Sequence, residues 1–409
     1  MRRTGTAGGP ERRSEAPGGS PAPADTPAPR SPGEPGGKGG ERPPRVHRPR
    51  RETYIDAFRG VMALIMVQGH VCERLLSKAA LADPLYQLQL LFHGSTAPGF
   101  LFASGFVAGL PRAPLSARAS LRRARRLLFI LGVAYTIHLP YLSIWKTLNE
   151  AIPVEWAALW ACDALQVIAV TQLFVIALQW VAGTRWIAAA AVLTLAILAA
   201  GPGVWAGGVS SRLMPALGAY LSPDSGSTFP VFPFSAFVLG GTVAGAAIGR
   251  QDPGRRHGRA LWWGIGLLAA GGVLAVLLRG FVDFWGASPA YVLVRLGGLL
   301  LMLRLVETLA DRQAPGITTL ALLGHETLLV YVLHLYFLYG GIIGVAPLNA
   351  YKASLGFVEV AWVFVAMLPV LLAAAWAWHA AKMRAPHEAA LALAFLTVAF
   401  VWEFLTRPW

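Results

Sequence analysis

Arg59 and His70 are separated by ten residues in one apolar stretch that begins Ile55-Asp56-Ala57-Phe58-Arg59-Gly60 and ends Met66-Val67-Gln68-Gly69-His70. Ionisable residues inside a membrane span are costly, so a span holding Asp56, Arg59 and His70 is expected to use them. Eleven helical steps of about 100° return Arg59 and His70 to nearly one face, about 16 Å apart along the axis. That face offers a cation toward one surface of the membrane and an imidazole toward the other. An imidazole titrating near neutral pH can accept a proton from a hydroxyl or amine or carry a group itself. The pattern suits a protein that moves a group across a bilayer or does chemistry at its two faces.

Further polar groups recur in other apolar segments. Leu91-Phe92-His93-Gly94-Ser95-Thr96 places His93 in the outer part of a second span, whose small residues allow close packing on the first. Cys162-Asp163-Ala164-Leu165-Gln166 lies about two turns inside a fourth, with Asp163 and Gln166 on one face. A buried Asp163 demands a partner; His70 or an arginine could serve, and a carboxylate beside an imidazole orients its tautomer. A structural tie between spans one and four is the plainer alternative. Arg122, Arg123, Arg125 and Arg126 open a third span, as a topology signal, as an anchor for a phosphate-bearing donor, or as both. His325 and His334 are nine residues apart and point in opposite directions unless their helix is broken. His138, His325 and His379 read as packing residues.

The elements that must position these groups are all helical. The 409 residues are 55% hydrophobic and 14% charged, with mean hydropathy +0.53, the composition of an integral membrane protein. Eleven spans are predicted: 54–74, 86–110, 121–142, 156–182, 186–206, 229–249, 260–279, 289–309, 320–344, 357–381 and 388–405. They are too long for barrel strands, so the fold class is all-α, a polytopic helical bundle. The net charge of +14 concentrates in alternate loops around Arg122, Arg255, Arg312 and Lys382, which places the N-terminus inside and the C-terminus outside. It does not point to nucleic acid. Residues 1–52 are rich in Pro, Gly and Arg and read as a disordered basic cytoplasmic tail, with residues 53–409 as the transmembrane domain. Cys72 and Cys162, the only cysteines, make neither a disulfide framework nor a zinc pattern, and no metal is expected.

Together these residues resemble a family. Tyr54 to Gly60 followed by His70, then Ala97-Pro98-Gly99-Phe100-Leu101-Phe102-Ala103-Ser104-Gly105, the basic start of span three and Asp163-Ala164-Leu165-Gln166, look like the polytopic transmembrane acyltransferases. Phe229-Pro230-Val231-Phe232-Pro233-Phe234 with Gly240-Gly241 is similar to a segment of the branch related to heparan-alpha-glucosaminide N-acetyltransferase. The spacing of Arg59 and His70 resembles the type-3 acyltransferase signature, in which that histidine is catalytic. The resemblance covers about residues 52–345. It implies transfer of an acyl group, acetyl in the first instance, from cytosolic acetyl-CoA or another acyl-CoA to a sugar, glycan or lipid-linked hydroxyl or amine on the outer side of a cell membrane, inner or plasma. His70 would be the base or acyl carrier, Arg59 its companion toward the donor, and Arg122, Arg123, Arg125 and Arg126 the donor's phosphate ligands. In the heparan branch the catalytic histidine lies between spans one and two, so His93 stays open beside His70. A transporter or flippase for an anionic or lipid-linked solute is the alternative, weakened by the lack of internal repeats. A homo-oligomeric assembly is admitted but not specified.

Overall fold

The computed structural model describes residues 53–340 and 346–408. The tail expected at 1–52 and the end of the span expected at 320–344 lie outside the described residues. The described chain is helical throughout. It runs α1 (Thr53–Leu75), α2 (Lys78–Leu81), α3 (Pro84–His93), α4 (Thr96–Gly109), α5 (Ala117–Ile137), α6 (Ile144–Glu150), α7 (Pro153–Trp160) and α8 (Ala164–Ala182). Then follow α9 (Trp186–Ala206), α10 (Pro215–Leu221), α11 (Val231–Ala244), α12 (Pro253–Leu277) and α13 (Pro289–Asp311). The last four are α14 (Ile317–His325), α15 (Thr327–Tyr339), α16 (Phe357–Arg384) and α17 (Pro386–Thr406).

Every predicted span contains helix, but the count of eleven crossings is not reproduced. Seven described helical runs are long and apolar enough to cross a membrane, eight if α14 and α15 together make one bent span. Two reasons separate these figures. Helix α5, with five arginines in its first ten residues, and α13, with Arg295, Arg304, Glu307 and Asp311, are not among them. Helices α8 and α9 form one 43-residue run, which a short turn at Gly183–Arg185 divides into helices of 19 and 21 residues.

Local chemistry sets the breaks that matter for function. The second predicted span is interrupted at Gly94 and Ser95, between α3 and α4, just after His93. The fourth is interrupted before Asp163, whose carboxylate accepts from the Ala164 amide at 2.6 Å and N-caps α8. The Gln166 side chain returns the bond by accepting from the Asp163 amide at 3.2 Å, so the aspartate satisfies helix-end donors that hydrocarbon could not. The ninth turns by 80° between α14 and α15, at Glu326.

Helices α1 and α11 form the centre, with 67% of their apolar windows buried, against 17% in α16 and 6% in α17. The large side chains that α17 leaves outward, such as Phe395, Leu396 and Trp402, suit lipid contact, because lipid tails are as apolar as they are. Close helix approach in the centre depends on glycine. Gly105 and Gly109 of α4 lie against the backbone carbonyls of Val238 and Thr242, and Gly241 of α11 and Gly245 just after its end lie against those of Phe102 and Phe106. The small residues of α4 thus serve α11 as well as α1, where Gly99 meets Met62. Helix α1 docks on α14 the same way, with Gly60 on the Leu320 carbonyl and Gly324 on that of Asp56.

Candidate active site

The 80° break decides the site. With α14 and α15 no longer collinear, His325 and His334 need not share an axis, and each reaches a different part of α1. Near the start of α1, His325 Nδ1 lies 3.7 Å from Asp56 Oδ2, and Arg59 donates to Thr327 Oγ1 at 2.7 Å while lying 3.6 Å from Asp56 Oδ1. Farther along, His70 Nδ1 is 2.8 Å from His334 Nε2. The pairs Arg59–Thr327 and His70–His334 ascend both helices together, so α1 and α15 run parallel. One face of α1 therefore carries Arg59 and His70, as its spacing predicts, and α15 meets both.

His70 is at the middle of three imidazoles. Its ring lies edge to edge with that of His334 and nearly coplanar with it, with centroids 5.1 Å apart and planes 12° from parallel, and meets the His93 ring in a T-shaped contact at 5.3 Å. His334 is fully buried, and His93 packs on Gly69, one residue before His70, with its Nδ1 buried and without a hydrogen-bond partner. The choice between His70 and His93 posed by the sequence concerns two neighbours in one cluster.

Asp163 enters from α8 but not onto His70. Its Oδ2 accepts from the Tyr331 hydroxyl at 2.7 Å, and the Tyr331 ring meets the edge of His334 at 5.7 Å. The carboxylate therefore reaches the imidazoles through α15. Both readings of Asp163 have a physical basis here, since it caps α8 and also ties α8 to the cluster.

The four arginines of α5 separate. Arg122, Arg125 and Arg126 are exposed, while Arg123 turns inward and donates to Gln172 Oε1 of α8 at 2.9 Å, with Gln172 donating to Ser104 of α4 at 3.3 Å. Of the histidines read as packing residues, His138 bonds only the carbonyl one turn back, that of Ala134 at 2.9 Å. His379 faces Glu326 Oε1 at 3.0 Å, and Lys382 Nζ meets Glu326 Oε2 at 2.6 Å.

Several polar partners escaped the sequence reading. Glu326 is 4% exposed, at the bend, and it holds α16 through His379 and Lys382. Arg256, which the loop count assigned to topology, is buried and pairs with buried Glu307 at 2.6 Å and with the Tyr54 hydroxyl at 3.0 Å. The signal available in the sequence was the acidic residue inside an apolar segment, which requires a counter-charge. Among the described residues, three groups of donors have ligand atoms within 4.8 Å of one another and could hold a cation: His70, Glu73 and His93; His325, Glu326 and His379; His257, Glu307 and Asp311. In the second, Lys382 already supplies a positive charge to Glu326. Cys72 and Cys162 are buried and free.

An all-helical, multi-pass bundle that brings three histidines together from α1, α3 and α15 is an integral membrane protein. Residues 52–405 match the family model described as an acyltransferase domain, of type 3, and the chain belongs to that family. It is an acyltransferase. No curated protein matches the chain.

Proposed function

We propose that this enzyme moves an acyl group, acetyl in the first instance, from cytosolic acyl-CoA to a sugar, glycan or lipid-linked hydroxyl or amine presented on the outer side of a cell membrane, with His70 as its general base. The observation that carries the reading is the placement of His70: on the face of α1 it shares with Arg59, and in contact with two further imidazoles. In this reading the acceptor gives its proton to His70 as the new acyl–oxygen or acyl–nitrogen bond forms. The acyl–sulfur bond breaks, and the departing thiolate takes that proton from the imidazolium. Arg59 lies toward the donor side, and inward-facing Arg123 with its exposed neighbours Arg122, Arg125 and Arg126 supplies cations for the donor's phosphates. The resemblance to the heparan-alpha-glucosaminide branch rests on Phe229–Phe234 and Gly240–Gly241, and it supports an amino sugar among the acceptors to be tried first.

The test is acyl transfer by the purified full chain in detergent. His70→Ala is expected to lose transfer with thermal stability unchanged, and retention of more than about a tenth of the activity, under roughly 1.4 kcal/mol in the barrier, overturns the assignment. Should His93→Ala be the inactive variant instead, the base moves to α3 within the same cluster. Replacing Arg123 and Arg126 by glutamine is expected to raise KM for acyl-CoA more than it lowers folded yield; an unchanged KM returns them to topology alone.

A further inference from the structure

Hydrogen-bond direction in the histidine cluster can be worked out from its far end. A backbone carbonyl only accepts, so the 2.9 Å contact between His334 Nδ1 and the Val330 carbonyl requires a proton on Nδ1. A neutral imidazole carries one proton, which leaves a lone pair on His334 Nε2. The 2.8 Å contact from His70 Nδ1 to that nitrogen must then be a donation from His70. His70 in turn keeps its Nδ1 proton and presents an unprotonated Nε2.

We propose that His334 is the positioning residue of His70, holding it in the tautomer whose Nε2 is free to take a proton, and that Tyr331, tethered by Asp163, fixes the ring of His334 from its other side. The proposal rests on His70 being the base and adds what selects its reactive nitrogen. Full burial of His334 and its bond to Val330 one turn back on α15 leave its ring one hydrogen-bonded orientation. The 2.8 Å bond between two nearly coplanar rings keeps His70 from turning over, which would put Cδ2 where Nδ1 stands and break the contact. When Nε2 accepts the acceptor's proton, the Nδ1–H of the imidazolium still donates to His334, and the same bond remains when the proton passes on to the thiolate. This is the service a carboxylate renders to the histidine of a hydrolase triad, here supplied by a neutral imidazole. Asp163 keeps its own charge away from His70, spent on the α8 amide and the Tyr331 hydroxyl.

The first measurement needs no variant. Nitrogen-15 NMR of the histidine-labelled full chain in lipid, with the His70 signals assigned by their loss in His70→Ala, should show the Nδ1–H tautomer at His70; the Nε2–H tautomer overturns the proposal. In the transfer assay, His334→Leu should lower kcat by about a hundredfold with KM for acyl-CoA unchanged, the order of loss that a misplaced catalytic group brings. His334→Gln, whose amide oxygen can accept from Nδ1–H, should recover at least tenfold of that loss. A purely structural role predicts equal loss in both variants, tracking their thermal stability. His334→Leu within threefold of the parent, with His70→Ala inactive, removes the positioning role and leaves His70 as base. An active His70→Ala removes the reading beneath it. Should His334→Leu fail to fold, the tautomer and the glutamine variant still decide.

Discussion

At the scale of single residues, the polar groups with the clearest physical account are those that sequence spacing could pair only in part. The Arg59 to His70 spacing predicted one shared face, and both side chains are met by α15. Asp163 was predicted to need a partner, and its partner is Tyr331, a residue 168 positions away that no local pattern selects. Asp224, in the segment between α9 and α11, has a comparable local tie outside the spans. Its Oδ2 accepts from Ser210 at 2.6 Å and Ser222 at 2.7 Å, and these donors hold its carboxyl below the usual carboxylate range. A lowered folded value stabilises the segment at every pH above the ordinary one, about 3.9, and the contribution disappears as pH falls through the folded value. Hydrogen exchange over residues 210–226, corrected for intrinsic rates, should therefore quicken below about pH 4. Asp224→Asn should lack that step, and the same step in the variant would assign it to another group.

Among the elements, α4 and α11 show how glycine spacing becomes architecture. Residues four apart on a helix share a face, so Gly105 with Gly109, and Gly241 with Gly245, make two flat strips that let backbones touch. A methyl group at Gly105 would overlap the Val238 carbonyl, and backbone has little room to yield. Gly105→Ala should cost about 1–3 kcal/mol, the usual range for overpacking, read as a lowered Tm in detergent. Gly132→Ala on α5, where nothing lies within 4 Å of the added carbon, should be neutral or slightly stabilising, since alanine is the better helix former. Equal destabilisation by both would mean that glycine matters here through helix propensity rather than contact.

For the whole molecule, charge bias rather than packing sets the orientation expected in a bilayer. Arg122, Arg123, Arg125 and Arg126 lie on one loop-proximal stretch and Arg255, Arg256 and Arg259 on another, while Asp224 and Asp283 lie in the alternate connections. Positive charge is retained on the cytoplasmic side, so a single cysteine at position 255 should be shielded in intact cells and one at position 224 labelled, with buried Cys72 and Cys162 giving little background. External labelling at 255 reverses the topology, and with it the side from which His70 meets its acceptor. That orientation also accounts for a parallel α1 and α15, both leaving the same face.

The sequence by itself determined the helical membrane class, the shared face of Arg59 and His70, and the family likeness, because composition, helical period and local motifs are properties of neighbouring residues. It also stated the condition under which His325 and His334 could serve different sites, a broken helix, without being able to say whether the break occurs. The eleven spans and the seven or eight described helices long and apolar enough to cross differ at α5 and α13, whose charges apolar length does not accommodate, and at α8 and α9, which form one run turned at Gly183. Only the tertiary structure decided that His334, rather than Asp163, contacts His70, that Arg123 alone of its cluster turns inward, and that Glu326 and Glu307 find their cations on other helices. These contacts join segments far apart in the chain, and the bend at Glu326 that brings His334 to His70 is secured by the burial of Glu326 against α16, a partner that no local sequence pattern encodes.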